Sequence, residues 1–441
     1  MKISIIGAGS TYTPELIEGI GEGRLGAPLD ELVLMDTDQA RLNTVGGLTR
    51  RMLERAGWGG RLQLTTRREE ALDGAEACIV QYRIGGTAAR ALDESIPLAH
   101  GVIGQETVGP GGWAKALRTI PPTLEIAEEL ALRSPNAWLI DFANPVSIVT
   151  QALLDEGHRA VGLCNVAVNI QQRAAAHFNV PLNDVEVESV GLNHASWFRE
   201  ITVSGAPQME RLVRSSPALL AEWGACSEVD VAREGCIPSY YLRYYQEHAT
   251  VLEEQRREGT RAPKVARIEA ELLQMFDDQS LTQKPALLTE RGGANYSTAA
   301  LDLIAALTGA RPARLVVDVQ NRGAIPDLAD SLVVEVLCDV DKNGARPRAV
   351  APLGPTREPL VRALGEFTQQ TASAARARDL LAAIDALADQ DATLSICEGN
   401  VTVTMDATLT IEERAAVAYY IGTGGPYNFY STLASLLERT A

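Results

Sequence analysis

A strand that runs straight into Gly7-Ala8-Gly9 and then into a helix leaves few folds open. The first residues, "KISIIGAGSTYTPELIEGI", read as strand, tight glycine turn and helix. The next strand, "ELVLMD", ends at Asp36. In this order the first glycine permits the turn, and the second lets the backbone approach a diphosphate seated on the helix N-terminus. Ser10 and Thr11 belong to the same turn and are candidate cofactor contacts with Gly7 and Gly9. The third glycine of the usual fingerprint is replaced by Tyr12, so the helix–strand contact it normally permits must be made differently. A carboxylate at Asp36 suits a ribose 2′-hydroxyl and repels a 2′-phosphate, which favours NAD over NADP.

Short apolar strands go on alternating with helical stretches as far as "RAVGLCN" and "VNIQQRAAAHFN". That alternation predicts a doubly wound parallel sheet of the Rossmann type. Several strands end on a polar residue (Asp36, Arg83, Asn144 and Cys164), and strand carboxyl ends are where such sheets bind ligands. Beyond about residue 185 the pattern changes. "VEVESVGLNHASWFREITVSG" alternates as antiparallel strands do, with a loop expected at Gly191–Ser196. Residues 208–285 read as mostly helical, and "RLVVDVQNRGAIPDLADSLVVEVLCDVDKNG" as strands joined by turns. The expected organisation is a dinucleotide-binding domain over residues 1–170 and an α+β substrate- and metal-binding domain over 171–441. The boundary between them is soft, within 165–200. Ala-rich stretches at 371–388 and 411–421 are expected to be helical, and the aromatic C-terminal segment "YYIGTGGPYNFYSTLASLL" to be core or interface.

Composition narrows the partners. The 441 residues carry a net charge of −17, which argues against a nucleic-acid or anionic-membrane surface. An anionic substrate would need a local basic pocket. The six cysteines are scattered without a Cys-x-x-Cys pair, as expected in a reducing compartment. No apolar run approaches the roughly 20 residues of a membrane span, and the N-terminal apolar run reads as a first strand, not a leader. The expected location is cytoplasmic.

Cys164, at a strand end and just before a helix, poses the main chemical question. Such a residue is core filling, a metal ligand or a nucleophile. The segments "IGAGSTYTPELI", "RIGGTAAR", "GVIGQETVGPGG", "ANPVSIVT", "GLCNVAVN", "GLNHASW", "IPSYYLRYY", "RGGANYS" and "NRGAIPDL", in this order over residues 5 to about 330, bear on the answer. Together they resemble the NAD- and metal-dependent glycosidases of glycoside hydrolase family four, and most of all the 6-phospho-β-glucosidase branch. The resemblance implies a lactate/malate dehydrogenase-like fold, NAD and Mn²⁺ (or another divalent metal) as cofactors, and a homodimer or homotetramer. It also implies an exception to two-carboxylate glycoside hydrolysis. The sugar C3 hydroxyl is oxidised by NAD, the C2 proton becomes acidic beside the metal-polarised ketone, and the aglycone leaves by elimination. Water then adds and C3 is reduced again.

On this resemblance Cys164 and His194 are the metal ligands, and Tyr241 is the base at C2. Tyr240, Tyr244 and Tyr245 in the same motif are its competitors. Asn165 follows the cysteine where α-glycoside members commonly carry an aspartate. Asparagine cannot transfer a proton, which points toward β-glycosides. Arg90, Asn144 and Arg291 are candidate phosphate and sugar contacts, arginine because its fork bonds two oxygens; Arg83 competes with Arg90. Glu106 is a candidate for sugar hydroxyls or the proton network, and the 109–112 "GPGG" segment for a loop or lid. Ala167 stands where the β-branch motif carries proline. The expected substrate is a phosphorylated disaccharide or aryl glucoside. The alternatives are a family member acting on an α-glycoside, galactoside or uronide, and a hydroxy-acid dehydrogenase.

Overall fold

A computed structural model of the chain describes residues 1–291, 296–379 and 382. Its centre is the alternating half of the sequence. Strands β1 (Lys2–Ile6), β2 (Glu31–Met35), β3 (Arg61–Thr65), β4 (Ala77–Val80), β5 (Trp138–Asp141) and β6 (Ala160–Gly162) are all parallel. They lie in the order β3-β2-β1-β4-β5-β6. Between them run helices α1 (Thr13–Gly21), α2 (Gln39–Arg55), α3 (Arg68–Leu72), α4 (Gly86–Ala99), α5 (Gly109–Arg133) and α6 (Val146–Asp155). Helix α7 (Val166–Phe178) follows β6. Sheets covered on both faces need uninterrupted apolar strands. Ile3, Ile5, Leu32, Leu34 and Ile140 are accordingly fully buried, each stabilising the fold by roughly 1.5–3 kcal/mol. Asp38 starts α2 by accepting from the backbone N–H groups of Ala40 and Arg41 at 3.0 Å, which satisfies donors that a helix start leaves open.

The sheet does not stop at β6. After β7 (Val185–Leu192), β8 (Ala195–Val203), β9 (Ala206–Pro207) and β10 (Ile237–Pro238), which form a second antiparallel sheet, the chain returns. Strands β11 (Ala313–Gln320), β12 (Val333–Asp341) and β13 (Gly344–Pro347) add to the open edge beyond β6, all antiparallel, to give nine strands. One sheet thus takes strands from both sides of the expected domain boundary. Strand β7 packs against β12, and the helix Glu358–Ala377 covers α5 and α6.

Two local expectations are corrected. The loop at Gly191–Ser196 is far tighter: Asn193 and His194 alone join β7 to β8, with His194 at φ +67°. The segment 109–112 is no loop but the first turn of α5. A Cβ at Gly111 would stand 2.3 Å from the carbonyl oxygens of Asp93 and Gln105, so glycine is there for close packing. The stretch 208–285 is mostly helical, as expected, and is interrupted by β10 and a 3-10 turn at Tyr240–Leu242. The Ala-rich stretch 411–421 and the aromatic C-terminal segment lie outside the described residues. No helix among the described residues is long and apolar enough to cross a membrane.

Three acids cross the sheet in register. Asp141 on β5 faces Gly162 on β6, Gly162 faces Asp318 on β11, and Asp318 faces Glu335 on β12. Asp318 is fully buried, and neither carboxyl oxygen has a hydrogen-bond partner among the described residues. Burial, and then the neighbouring Glu335 and Asp141, hold its carboxyl well above the usual range. The folded chain therefore holds this proton to higher pH than the unfolded chain does, so stability is lost as pH rises above about 3.9. Asp318→Asn is expected to raise Tm relative to the parent by more at pH 7 than at pH 4. Calorimetry across that range checks it, and a pH-independent difference would refute the assignment.

Candidate functional site

The sheet reverses its strand order between β1 and β4, and a cleft of about 1220 Å³ opens outside the strand carboxyl ends there. Pockets for a drug-sized ligand span roughly 300–1,000 Å³, so this cleft is larger than one such ligand requires. Gly7, Gly9, Ser10 and Asp36 line it, as do Arg90, Glu106, Asn144, Cys164, Asn165, His194, Tyr241 and Arg291. Of the site residues expected from the sequence, Thr11 alone is not on the wall. It is fully buried, and its hydroxyl has no partner among the described residues.

The glycine loop has physical reasons for both glycines. Gly7 sits at φ +83°, and a Cβ there would fall 2.6 Å from the Tyr82 Cβ. The Gly9 N–H donates to Asp36 Oδ2 at 2.8 Å, and a Cβ at Gly9 would meet the same oxygen at 2.8 Å. The missing third glycine is explained by the next residue. Thr13 Oγ1 donates to the Ala8 carbonyl and accepts from Gln81 Nε2, both at 2.8 Å, and so fastens α1 to the strands. The Tyr12 ring lies under Arg291, whose guanidinium carbon is 4.1 Å from the ring centroid. Arg291 is buried and pairs with Glu269 at 3.4 Å, while its Nε and Nη1 have no hydrogen-bond partner among the described residues. Buried guanidinium N–H groups of this kind call for an anion.

At the other end, Cys164 follows β6 and His194 occupies the β7–β8 turn. Fold closure brings Cys164 Sγ to 3.9 Å from His194 Nε2. Two such atoms sharing one ion at zinc-like bond lengths and a tetrahedral angle stand about 3.6 Å apart, so the pair fits a borderline metal. Burial, with a smaller contribution from Lys115, pulls His194 down to about 3. The imidazole is therefore neutral, which is its ligating form. Burial and then Glu335 push the Cys164 thiol up to about 12, so a bound cation would have to displace that proton. No set of three or more His, Cys, Asp or Glu side chains that could hold a metal occurs among the described residues. Such an ion would complete its sphere from ligands in the cleft.

The tyrosine motif resolves into distinct places. Tyr241 stacks on His194, with ring centroids 3.5 Å apart and an interplanar angle of 8°. Tyr240 and Tyr244 also line the cleft, whereas Tyr245 is buried away from it. Burial raises the Tyr241 phenol above its usual range, while Arg261 and Arg90 pull the other way. Asn165 lies beside the thiol, its Oδ1 4.0 Å from Sγ. Asn144, on the wall, precedes a cis peptide bond to Pro145.

Glu106 proves to be the hub of a buried ion cluster. It contacts Arg83, pairs with Arg90 at 2.9 Å and accepts from Lys115 Nζ at 2.7 Å. Arg90 also donates to Glu94 Oε1 at 2.8 Å. Burial, then the neighbouring Arg90 and Arg291, bring Arg83 down to about 9. Lys115 is held well below its usual range by burial and by Arg83 and Arg90. Arg83 and Arg90, competitors on the sequence, thus act on the same carboxylate. Lys115 was missed, because a lysine within "GGWAKALR" carries no signal beyond helical spacing.

A dinucleotide-type glycine loop and a thiol–imidazole–phenol set, sharing one cleft, define a Rossmann-type chain with a second, metal-suited centre. The sequence profile of the family 4 glycosyl hydrolases matches residues 2–180, and that of the family's C-terminal domain matches residues 189–392. The chain belongs to glycosyl hydrolase family 4. A Bacillus subtilis protein named as a probable 6-phospho-β-glucosidase is 39% identical over 402 residues, 88% of this chain and 91% of its own. A 6-phospho-α-glucosidase of Lacticaseibacillus paracasei is 30% identical over 370 residues, 79% of this chain and 83% of its own. The 6-phospho-β-glucosidase of Thermotoga maritima, solved with NAD and glucose-6-phosphate, is 30% identical and superposes with a TM-score of 0.83, covering 88% of this chain and 93% of that one. A malate dehydrogenase of Picrophilus torridus, 13% identical with a TM-score of 0.53 over 86% of this chain and 99% of its own, shares the fold.

Binding of Co²⁺ is expected to produce thiolate-to-metal absorption in the near ultraviolet. Cys164→Ser should remove that band. Its survival in the variant would show that another group holds the ion.

Proposed function

We propose that this chain is a 6-phospho-β-glucosidase using NAD and a divalent cation, with manganese as the expected ion. One observation carries the reading: Tyr241 lies flat on His194, beside Cys164, in the same cleft as Gly7, Gly9 and Asp36. A hydroxy-acid dehydrogenase has no use for the thiol or the phenol. Residues 1–170 would serve the dinucleotide and, through Asn144 and Asn165, part of the sugar, while 171–441 would bring His194, Tyr241 and Arg291.

When bound, the two cofactors supply a hydride acceptor for C3 of the sugar and a Lewis acid for the resulting ketone. The chain's own residues do the rest. Cys164 and His194 hold the cation. Gly7, Gly9 and Ser10 seat the diphosphate, and Asp36 takes the ribose hydroxyls once it turns from the Gly9 N–H. Tyr241 accepts the C2 proton at its phenolic oxygen, with Arg90 and Arg261 favouring phenolate. Arg291, whose Nε and Nη1 are open among the described residues, binds the 6-phosphate. Asn144 and Asn165 bond sugar hydroxyls. Asn165 has no proton to transfer, so the aglycone departs by elimination without a carboxylic acid at that position. Glu106, fixed by three cations, keeps Arg83, Arg90 and Lys115 within the cleft. In this reading the substrate is a phosphorylated disaccharide or aryl glucoside, the enzyme is cytoplasmic, and it works as a homodimer or homotetramer.

The test uses p-nitrophenyl-β-glucoside 6-phosphate with and without Mn²⁺ and NAD⁺. Nitrophenol release needing both, with no net NADH and with solvent deuterium at C2, is the expected result. Release without NAD⁺, or net NADH from a hydroxy acid without metal, would refute the reading. Tyr241→Phe is expected to lower kcat by about 10²–10⁴-fold while leaving Mn²⁺ affinity in place. Asp36→Ala should cut the preference for NAD⁺ over NADP⁺ in direct binding; an unchanged ratio would remove Asp36 from the ribose site.

A further inference from the structure

His194 stands in an awkward place. It occupies the second position of a two-residue turn, at φ +67°, where a residue with a Cβ pays a conformational cost. Something must hold it there. The two residues that could do so, Asn193 before it and Ser196 two further on, bond the same side chain. Asn193 Nδ2 donates to Glu335 Oε1 at 2.9 Å, and Ser196 Oγ donates to Glu335 Oε2 at 2.8 Å. Glu335 therefore spans the turn, one oxygen on each flank of the imidazole.

Glu335 does this at some expense to stability. It is 2% exposed and forms no ion pair among the described residues. A buried carboxylate held by two neutral donors is costlier than an apolar side chain of like volume. Its anchor is rigid. Through Asp318 it is in register with Gly162, two residues before Cys164. The same β-sheet row that fixes the thiol thus reaches the turn that carries the imidazole.

We infer that Glu335 is the positioning residue of the metal centre, setting the distance between His194 Nε2 and Cys164 Sγ by clamping Asn193 and Ser196. This rests on the reading that Cys164 and His194 hold the cation. Outer-shell partners of this kind are typically worth about 10–100-fold in metal affinity.

The test measures binding, not turnover. Mn²⁺ affinity is read from the electron paramagnetic resonance signal of the free ion, and NAD⁺ affinity from calorimetry on the same preparations. Glu335→Leu, which removes both acceptors, and, separately, Asn193→Ala are expected to weaken Mn²⁺ about tenfold or more, to leave NAD⁺ affinity unchanged, and to recover kcat at saturating Mn²⁺. Should Glu335→Leu fail to fold, Asn193→Ala alone carries the test. Unchanged Mn²⁺ affinity, or equal losses for Mn²⁺ and NAD⁺, would overturn the inference by making the clamp a fold element only. Cys164→Ser is the control. If it binds Mn²⁺ as the parent does, the cation reading itself falls, and this inference with it, by a result distinct from failure of the clamp.

Discussion

The site depends on one short antiparallel contact, Gly162 opposite Asp318. It joins the parallel half of the sheet to the strands that return from the second half of the chain. There is no slack in it. A Cβ at Gly162 would lie 2.3 Å from Thr150 Oγ1 and 2.9 Å from the Asp318 Cβ, so only glycine lets β11 approach this closely. On one side of the contact the chain runs two residues to Cys164. On the other, Asp318 faces Glu335, and Glu335 grips the turn at His194. Two side chains distant in sequence meet because a backbone pairing fixes both.

Electrostatics divides the molecule. The chain as a whole is strongly anionic at −17, yet Arg83, Arg90 and Lys115 are gathered round one carboxylate inside the cleft, with Arg291 nearby. Buried like charges are tolerated only with a shared counterion, and Glu106 supplies it. The arrangement keeps positive charge at a point where it is poorly screened, inside a surface whose average sign would repel an anion.

Much of this was legible in the sequence, for identifiable reasons. The strand–glycine–helix order and the apolar alternation impose local geometry, so the parallel strands and the loop holding Gly7 and Gly9 could be read directly. The family motifs named Cys164, His194 and Tyr241, which share one wall of the cleft. What was not legible is what depends on long-range register. The continuation of the sheet through β11, β12 and β13 leaves no periodic trace, and neither does the buried row of Asp141, Asp318 and Glu335. Thr11 falls within the fingerprint but is fully buried and off the cleft wall. Lys115 lies in an ordinary helical stretch and becomes unusual only through what Glu106 brings beside it.

The flat stack of Tyr241 on His194 has a further consequence. With the rings 3.5 Å apart and nearly parallel, the imidazole cannot move toward the phenol without displacing it. An ion of different radius, seated between the same sulfur and nitrogen, would shift the imidazole by a fraction of an ångström and move the phenolic oxygen with it. Discrimination among divalent ions would then be read in the chemical step as well as in occupancy. On the proposed roles, a poorly matched ion would bind and still leave the phenolic oxygen of Tyr241 off line.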